Sequence, residues 1–189
     1  MAASPRDCAR ERIRAVLAHS EVPEDPRHAE NTLAWLHRLG PDVDAALELA
    51  ALGHDLDRAT PDRVRREDYA DYDRFKAAHA RRSARLLRRI LETCGVDPAT
   101  IEEACRLVIH HETGGDPRSD RLRDADSLSY FEVNLPLYLA REGEAETLRR
   151  CRWGVARLSP GVRHRLLELH PDQPRLQRLI RRALGCQPA

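Results

Sequence analysis

Aromatic side chains are scarce in this chain of 189 residues, at 4%, so its core has to be built from aliphatic residues and alanine. Lysine is rarer still. Lys76 is the only one, and arginine carries the rest of the positive charge, as expected of a GC-rich genome. Neither sign of charge is in excess: 32 basic and 31 acidic residues leave a formal charge of +1. That argues against a nucleic-acid protein recruited by bulk charge. The five cysteines (Cys8, Cys94, Cys105, Cys151 and Cys186) are odd in number and contain no CxxC spacing. The spacing predicts neither a disulfide framework nor a structural zinc site, and it fits a reducing cytoplasm. No stretch approaches the roughly 20 apolar residues of a membrane span. The opening MAASPRDCARERIRAVLAHS has no uncharged apolar core of signal length. A soluble cytoplasmic protein of one domain, with no membrane partner, is the expectation.

Alternating β patterns and internal repeats are also lacking, and what remains is helical periodicity almost throughout. Asp25-Pro26, Asp97-Pro98 and Ser159-Pro160 each set a capping side chain before a proline suited to the first helical position. Gly40-Pro41 and Gly95 punctuate helix ends. The pattern predicts helices at about 6–19, 26–39, 42–56, 72–94, 98–112, 121–140, 144–157 and 160–184, the last broken near Pro171 and Pro174. Two loops, the charged 57–71 and the glycine-rich 113–120, directly follow histidine-bearing helix ends.

Nine histidines are present, and the helical spacing of three and four tests where they point. His54 falls on a stripe with Val43, Leu47 and Ala50, and His79 with Phe75, Ser83, Leu86 and Ile90. His111 shares a face with Ile101, Ala104 and Val108, Asp126 with Leu122, Ser129 and Val133, and His28 with Thr32, Trp35 and Leu39. One histidine on an apolar stripe is usually a satisfied core histidine. Five successive helices that each aim a ligand-type residue inward would be costly to bury without a shared partner. A metal centre is the economical explanation. Four imidazoles and two carboxylates suit Fe, Mn, Zn, Co or Ni better than Ca or Mg. Adjacent positions on a helix diverge by about 100°, yet His54 and Asp55 stand at a helix end, where both side chains can converge on one ion. A carboxylate has two oxygens, so Asp55 can also reach a second ion.

The ordered set RHAENT (27–32), LGHDLDR (52–58) and RDADSLSYFE (123–132), with KAAHARRSARLL (76–87) and VIHHETGG (108–115) between the last two, resembles the HD-domain superfamily of metal-dependent phosphohydrolases. The resemblance covers residues 26–140, and nothing is recognised from about residue 141 onward. It implies an all-α helical bundle of five core helices with a C-terminal helical extension over about 141–189. It implies that His28, His54, Asp55 and Asp126 hold one divalent transition metal ion, and that Asp55, His79 and one or both of His110 and His111 hold a second. The LRDAD segment leaves Asp124 or Asp126 open, and the family's Ala-Asp pairing favours Asp126. Order and spacing look closest to small bimetallic members that hydrolyse nucleotide phosphoanhydrides, such as YqeK-type diadenosine tetraphosphate hydrolases. The HHE at 110–112 matches the cyclic-dinucleotide phosphodiesterases of the HD-GYP type, but their glycine-tyrosine-proline signature is absent.

The implied activity is hydrolysis of a nucleotide or other small phosphate ester or anhydride by metal-activated hydroxide, with Asp55 bridging the ions. Arg58, one turn past His54, and Lys76, one turn before His79, are the candidate phosphate-gripping residues; a solvated surface role is the alternative for each. Glu112 and Asp57 either support the histidines or are solvated. Gly114-Gly115 lets the chain turn. His19, His37, His164 and His170 lie outside the set, Cys94 and Cys105 read as core, and the run Arg81, Arg82, Arg85, Arg88, Arg89 reads as a solvated helix face. Two other functions share the ligand list: an HD-fold di-iron oxygenase, and a non-catalytic nucleotide sensor.

Overall fold

A computed structural model describes residues 3–170 and 172–186. As the periodicity predicts, the protein is all-helical, with no strand among the described residues. The helices are α1 (Pro5–Leu17), α2 (Asp25–Leu39), α3 (Ala45–Gly53), α4 (Tyr72–Thr93), α5 (Pro98–His110), α6 (Pro117–Ser129), α7 (Leu135–Arg157) and α8 (Pro174–Leu184). None is long and apolar enough to cross a membrane among the described residues.

The centre of the bundle is α3, AALELAALG, buried at every position from Ala46 to Gly53. A helix apolar all round has to be enclosed: α1, α2, α4, α5 and α6 all pack against it. The one charge on it, Glu48, is 2% exposed and pairs with Arg6 and Arg10 of α1. Its own Leu49 and Leu52 are fully buried, as are Leu87, Leu107 and Leu122 of α4, α5 and α6, each such side chain contributing roughly 1.5–3 kcal/mol. Close approach of α3 to α4 depends on Gly53, where a Cβ would stand 2.8 Å from Leu87 Cδ1.

Several boundaries differ from expectation for local reasons. Helix α3 stops at Gly53, not at 56, and the chain turns into a 3-10 segment, Leu56–Ala59. Helix α6 starts at Pro117 inside the expected loop, because the Asp116 carboxylate accepts from the N–H groups of Arg118 and Ser119. The expected helix 121–140 is interrupted by a π-helical turn, Tyr130–Asn134, in which Leu135 N–H reaches Tyr130 O. Pro136 has no N–H to give Glu132 O, so the ordinary ladder cannot continue there. A kink at Gly143, with φ of 76°, falls in the gap expected between 140 and 144. Asp25 is not a cap; it is the first helical residue of α2, 1% exposed. The Ser159-Pro160 start opens a 3-10 segment, Pro160–Glu168, not an α-helix. The break expected near Pro171 lies outside the described residues.

The cysteine reading is corrected at one pair. Cys8 of α1 and Cys94, the C-cap of α4, form a disulfide with a Cα–Cα distance of 5.7 Å. Spacing along the chain, 86 residues, carries no hint of a pairing that only the docking of α1 across α4 creates. Cys105 and Cys151 are buried and free, and Cys186 is exposed.

Candidate metal centre

Six side chains from five helices meet at one end of the bundle and form two buried groups. His28, His54 and Asp126 make the first; Asp55, His79 and His111 make the second. Either group could hold a metal ion. His28 enters from the first turn of α2, His79 from α4 and Asp126 from α6, while His54 and His111 are the C-caps of α3 and α5.

The two cap histidines are held in the same way. Carbonyls in the last turn of a helix lack an amide partner. His54 Nδ1 donates to one of them, Ala51 O, at 2.8 Å, and His111 Nδ1 donates to Val108 O at 2.6 Å. His79 Nδ1 donates to Asp57 Oδ2 at 3.0 Å. Ser129 Oγ gives its hydrogen to His28 O at 3.0 Å, so it accepts from His28 Nδ1, 2.9 Å away. With all four Nδ1 atoms donating, the neutral tautomers present four Nε2 lone pairs to the centre.

The lone pairs converge. His28 Nε2 lies 3.2 Å from His54 Nε2 and 3.1 Å from Asp126 Oδ1. His79 Nε2 lies 2.8 Å from Asp55 Oδ1, while Asp55 Oδ2 lies 3.7 Å from His54 Nε2. Asp55 therefore gives one oxygen to each group, which its position after the end of α3 (φ −107°, ψ 18°) permits. His111 Nε2 is buried without a well-directed hydrogen bond, although Glu112 Oε1 lies 3.2 Å away. A lone pair beside a carboxylate oxygen and two imidazole nitrogens face to face are what a shared cation would reconcile, and the mixed nitrogen and carboxylate set fits a divalent transition ion.

The charges respond to one another. Burial alone would lower the His54 pKa, but the carboxylates of Asp55 and Asp126 raise it from 6.5 to about 9. Burial opposes ionisation of Asp55 as well, yet His54, Arg58 and His79 hold it well below the usual carboxylate range. Asp126 is likewise held low against burial by Arg157, His28 and His54.

Around the six stands a cationic wall. Arg58 binds Asp55 Oδ2 at 3.1 Å and Asp25 Oδ1 at 3.0 Å, and Lys76 pairs with Glu112. Both border a small inner pocket that also exposes His28, Asp55 and Asp126. Glu112 and Asp57 are buried supports. Glu112 is paired with Lys76 and Arg157, and Asp57 is bound by His79 and by Arg82 Nε at 2.7 Å. So Arg82 leaves the solvated face predicted for it, while Arg81, Arg85 and Arg89 are exposed. His110 is exposed and joins neither group; of the adjacent pair, His111 points inward because it caps α5. Asp124 accepts from Ser159 N at 2.8 Å and tethers the 3-10 segment, leaving the centre to Asp126. His19, His37 and His164 are exposed, and His170 binds Phe131 O at 2.7 Å. Gly114 turns the chain after α5 at φ +68°.

Two arginines escaped the sequence reading, Arg150 and Arg157. Arg157 binds Asp126 Oδ2 and Glu112 Oε2, both at 3.1 Å. The available signal was RRCRWGVAR, where one of only two tryptophans sits a helical turn from arginines on both sides.

Fold and site together define an all-helical protein with a buried, doubled histidine–aspartate centre able to hold metal ions. The chain belongs to the family described as "Domain of unknown function (DUF4202)", whose family model matches residues 4–180. No curated protein and no solved structure matches it.

Proposed function

We propose that the protein is a metal-dependent phosphohydrolase of the HD-domain type that hydrolyses a nucleotide or another small phosphate ester or anhydride. The observation that carries this reading is the pairing of the two groups through Asp55 with a cationic wall directly over them, formed by Arg58, Lys76 and Arg157. His28, His54, Asp55 and Asp126 would hold one divalent ion, and Asp55, His79 and His111 the other. The ions would supply Lewis acidity, acidifying water and offsetting phosphate charge. The chain does the rest. Arg58, 36% exposed at its side chain, has donors to spare beyond Asp25 and Asp55 and faces the pocket with a fork that matches phosphate oxygens. Lys76 adds a compact charge to the same pocket. Arg157 and Glu112 lock Asp126 and His111 in place, and Asp57 fixes the His79 ring. A wall of cationic groups suits a phosphorylated, anionic substrate.

The test is phosphate release over mono-, di- and triphosphates and dinucleotides, using protein reconstituted with Mn, Fe, Co, Ni or Zn. Arg58→Gln should raise KM for the phosphorylated substrate, because it removes a phosphate contact. Absence of metal in protein purified without chelators, together with no uptake on reconstitution, would sink the proposal.

A further inference from the structure

The inner pocket opens outward into a chamber of about 640 Å³ whose wall holds five arginines, Arg58, Arg66, Arg141, Arg149 and Arg150, against one carboxylate, Glu24. Three of the five are already matched within the chain: Arg58 by Asp25 and Asp55, Arg141 by Glu24 and Arg149 by Glu146. Arg66 and Arg150 pair with no carboxylate among the described residues. Arg150 is the better placed. It borders the outer chamber, the neighbouring cleft beside Lys76 and His79, and the inner pocket over the metal groups.

Arg150 is also built in. Its guanidinium lies 4.1 Å over the Trp153 ring and 5.1 Å over Tyr130, and it donates to Tyr72 Oη at 3.2 Å. The same Trp153 ring carries Arg157 at 4.8 Å. Aromatic rings beside a phosphate site invite a reading as a platform for a nucleobase. Here the Trp153 ring already holds two guanidinium groups, and Tyr72 holds Arg66 at 5.7 Å. The rings are splints that keep cations flat and aimed, at little entropic cost to each new contact.

The geometry points to a second anion subsite at Arg150 and Arg66, one step outward from the metal groups, that grips a further phosphate of the substrate. Resting on the hydrolase reading above, it makes the substrate class an oligophosphate chain, recognised by its phosphates and not by a base. Arg157, Arg150 and Arg66 form a cationic track leading away from Asp126, along which phosphates of one chain would lie in series.

The experiment measures binding first and turnover second. Inorganic tripolyphosphate, orthophosphate and adenosine are titrated into the metal-free full-length chain by calorimetry. A parallel titration follows fluorescence in Trp35→Phe, in which Trp153 is the only tryptophan left. Wild type should bind tripolyphosphate, with a change in Trp153 emission, and should ignore adenosine. Arg150→Gln should weaken tripolyphosphate about tenfold or more, as loss of a charge-assisted fork would, and move orthophosphate less than about twofold. Arg66→Gln, on an exposed residue, should weaken tripolyphosphate in the same direction. Where hydrolysis is found, Arg150→Gln should raise KM for the triphosphate and leave that for p-nitrophenyl phosphate unchanged. Equal loss for tripolyphosphate and orthophosphate, tight Arg150-dependent binding of adenosine, or no change in either variant would overturn the subsite. If tripolyphosphate binding depends on Arg150 but no compound is hydrolysed, the hydrolase reading falls and the subsite stands.

Discussion

His28 and His54 hold their Nε2 atoms 3.2 Å apart although the Nδ1 of each ring already donates elsewhere. Two neutral rings in that state have only lone pairs to present to each other. The contact is tolerable when one ring takes a proton or when both share a cation, and the two solutions compete.

That competition predicts a pH dependence. The metal-free protein keeps His54 protonated up to about 9, because Asp55 and Asp126 outweigh the effect of burial. An ion must displace that proton, so apparent metal affinity should rise with pH across 6 to 8.5, by up to about tenfold per unit for this one site. The linkage runs the other way for stability of the metal-free chain. A folded pKa raised above 6.5 contributes fully below 6.5 and is lost as pH climbs through about 9. Competition titrations with a chromophoric chelator at several pH values check the first, and denaturant melts of the chelated protein the second. A metal affinity flat with pH would show that His54 is already neutral before the ion arrives.

Asp55 stands between the two groups, one oxygen toward His79 and the other toward His54. Asp55→Ala should abolish turnover while circular dichroism retains most of the helix signal, since the residue lies beyond the end of α3. Retention of a tenth of wild-type activity would rule out a bridging role.

Asp57 touches no ion, yet it holds His79 Nδ1 at 3.0 Å and is itself held by Arg82. Asp57→Asn keeps the shape and loses the charge that fixes the His79 tautomer. Affinity at the second group should fall about 10- to 100-fold, as losses of such supporting carboxylates do, with the first group unaffected. Metal titration resolves the two classes of site, and an unchanged second class would reduce Asp57 to a packing role.

The Cys8–Cys94 bridge ties the first helix to the end of the fourth across a separation of 86 residues. Its removal should lower stability by about 2–4 kcal/mol through the unfolded chain. Thermal melts of Cys8→Ser, and of wild type with and without reductant, check this. Identical melting temperatures in all three would mean that the bridge contributes nothing to the folded protein.

Much of the fold and most of the candidate centre could be read from the sequence, because both express the 3.6-residue period. His28, His79 and Asp126 lie on the faces their stripes predict. The unread parts come from interactions the period does not encode. Asp116-Pro117 carries the same start signal as Asp97-Pro98, but the adjacent glycines mask it. Pro136 hides a π turn inside an apolar run, and that turn places Tyr130 and Asn134 at the chamber wall. The choice of His111 over His110 depends on where α5 ends, a matter of one residue. Arg150 and Arg157 sit on α7, past the last recognisable motif, and reach the centre only because α7 folds back over it.

Whether one ion or two is held turns on His79. It is 3% exposed, Asp57 fixes its ring, and it belongs to the group that shares Asp55 with the first. If His79 is a ligand, His79→Ala should lose one metal equivalent and keep the other, which His28, His54, Asp55 and Asp126 still surround. Turnover should fall sharply, because a water acidified by one ion has a higher pKa than one shared by two. If His79 instead contacts only the substrate phosphate, the variant should keep its full metal content and show mainly a raised KM. Metal-to-protein ratios for wild type and His79→Ala, measured by mass spectrometry after gel filtration, separate the two. An unchanged ratio would show that His79 is not a ligand, and a ratio of one in both proteins would leave Asp55 with a single ion to serve.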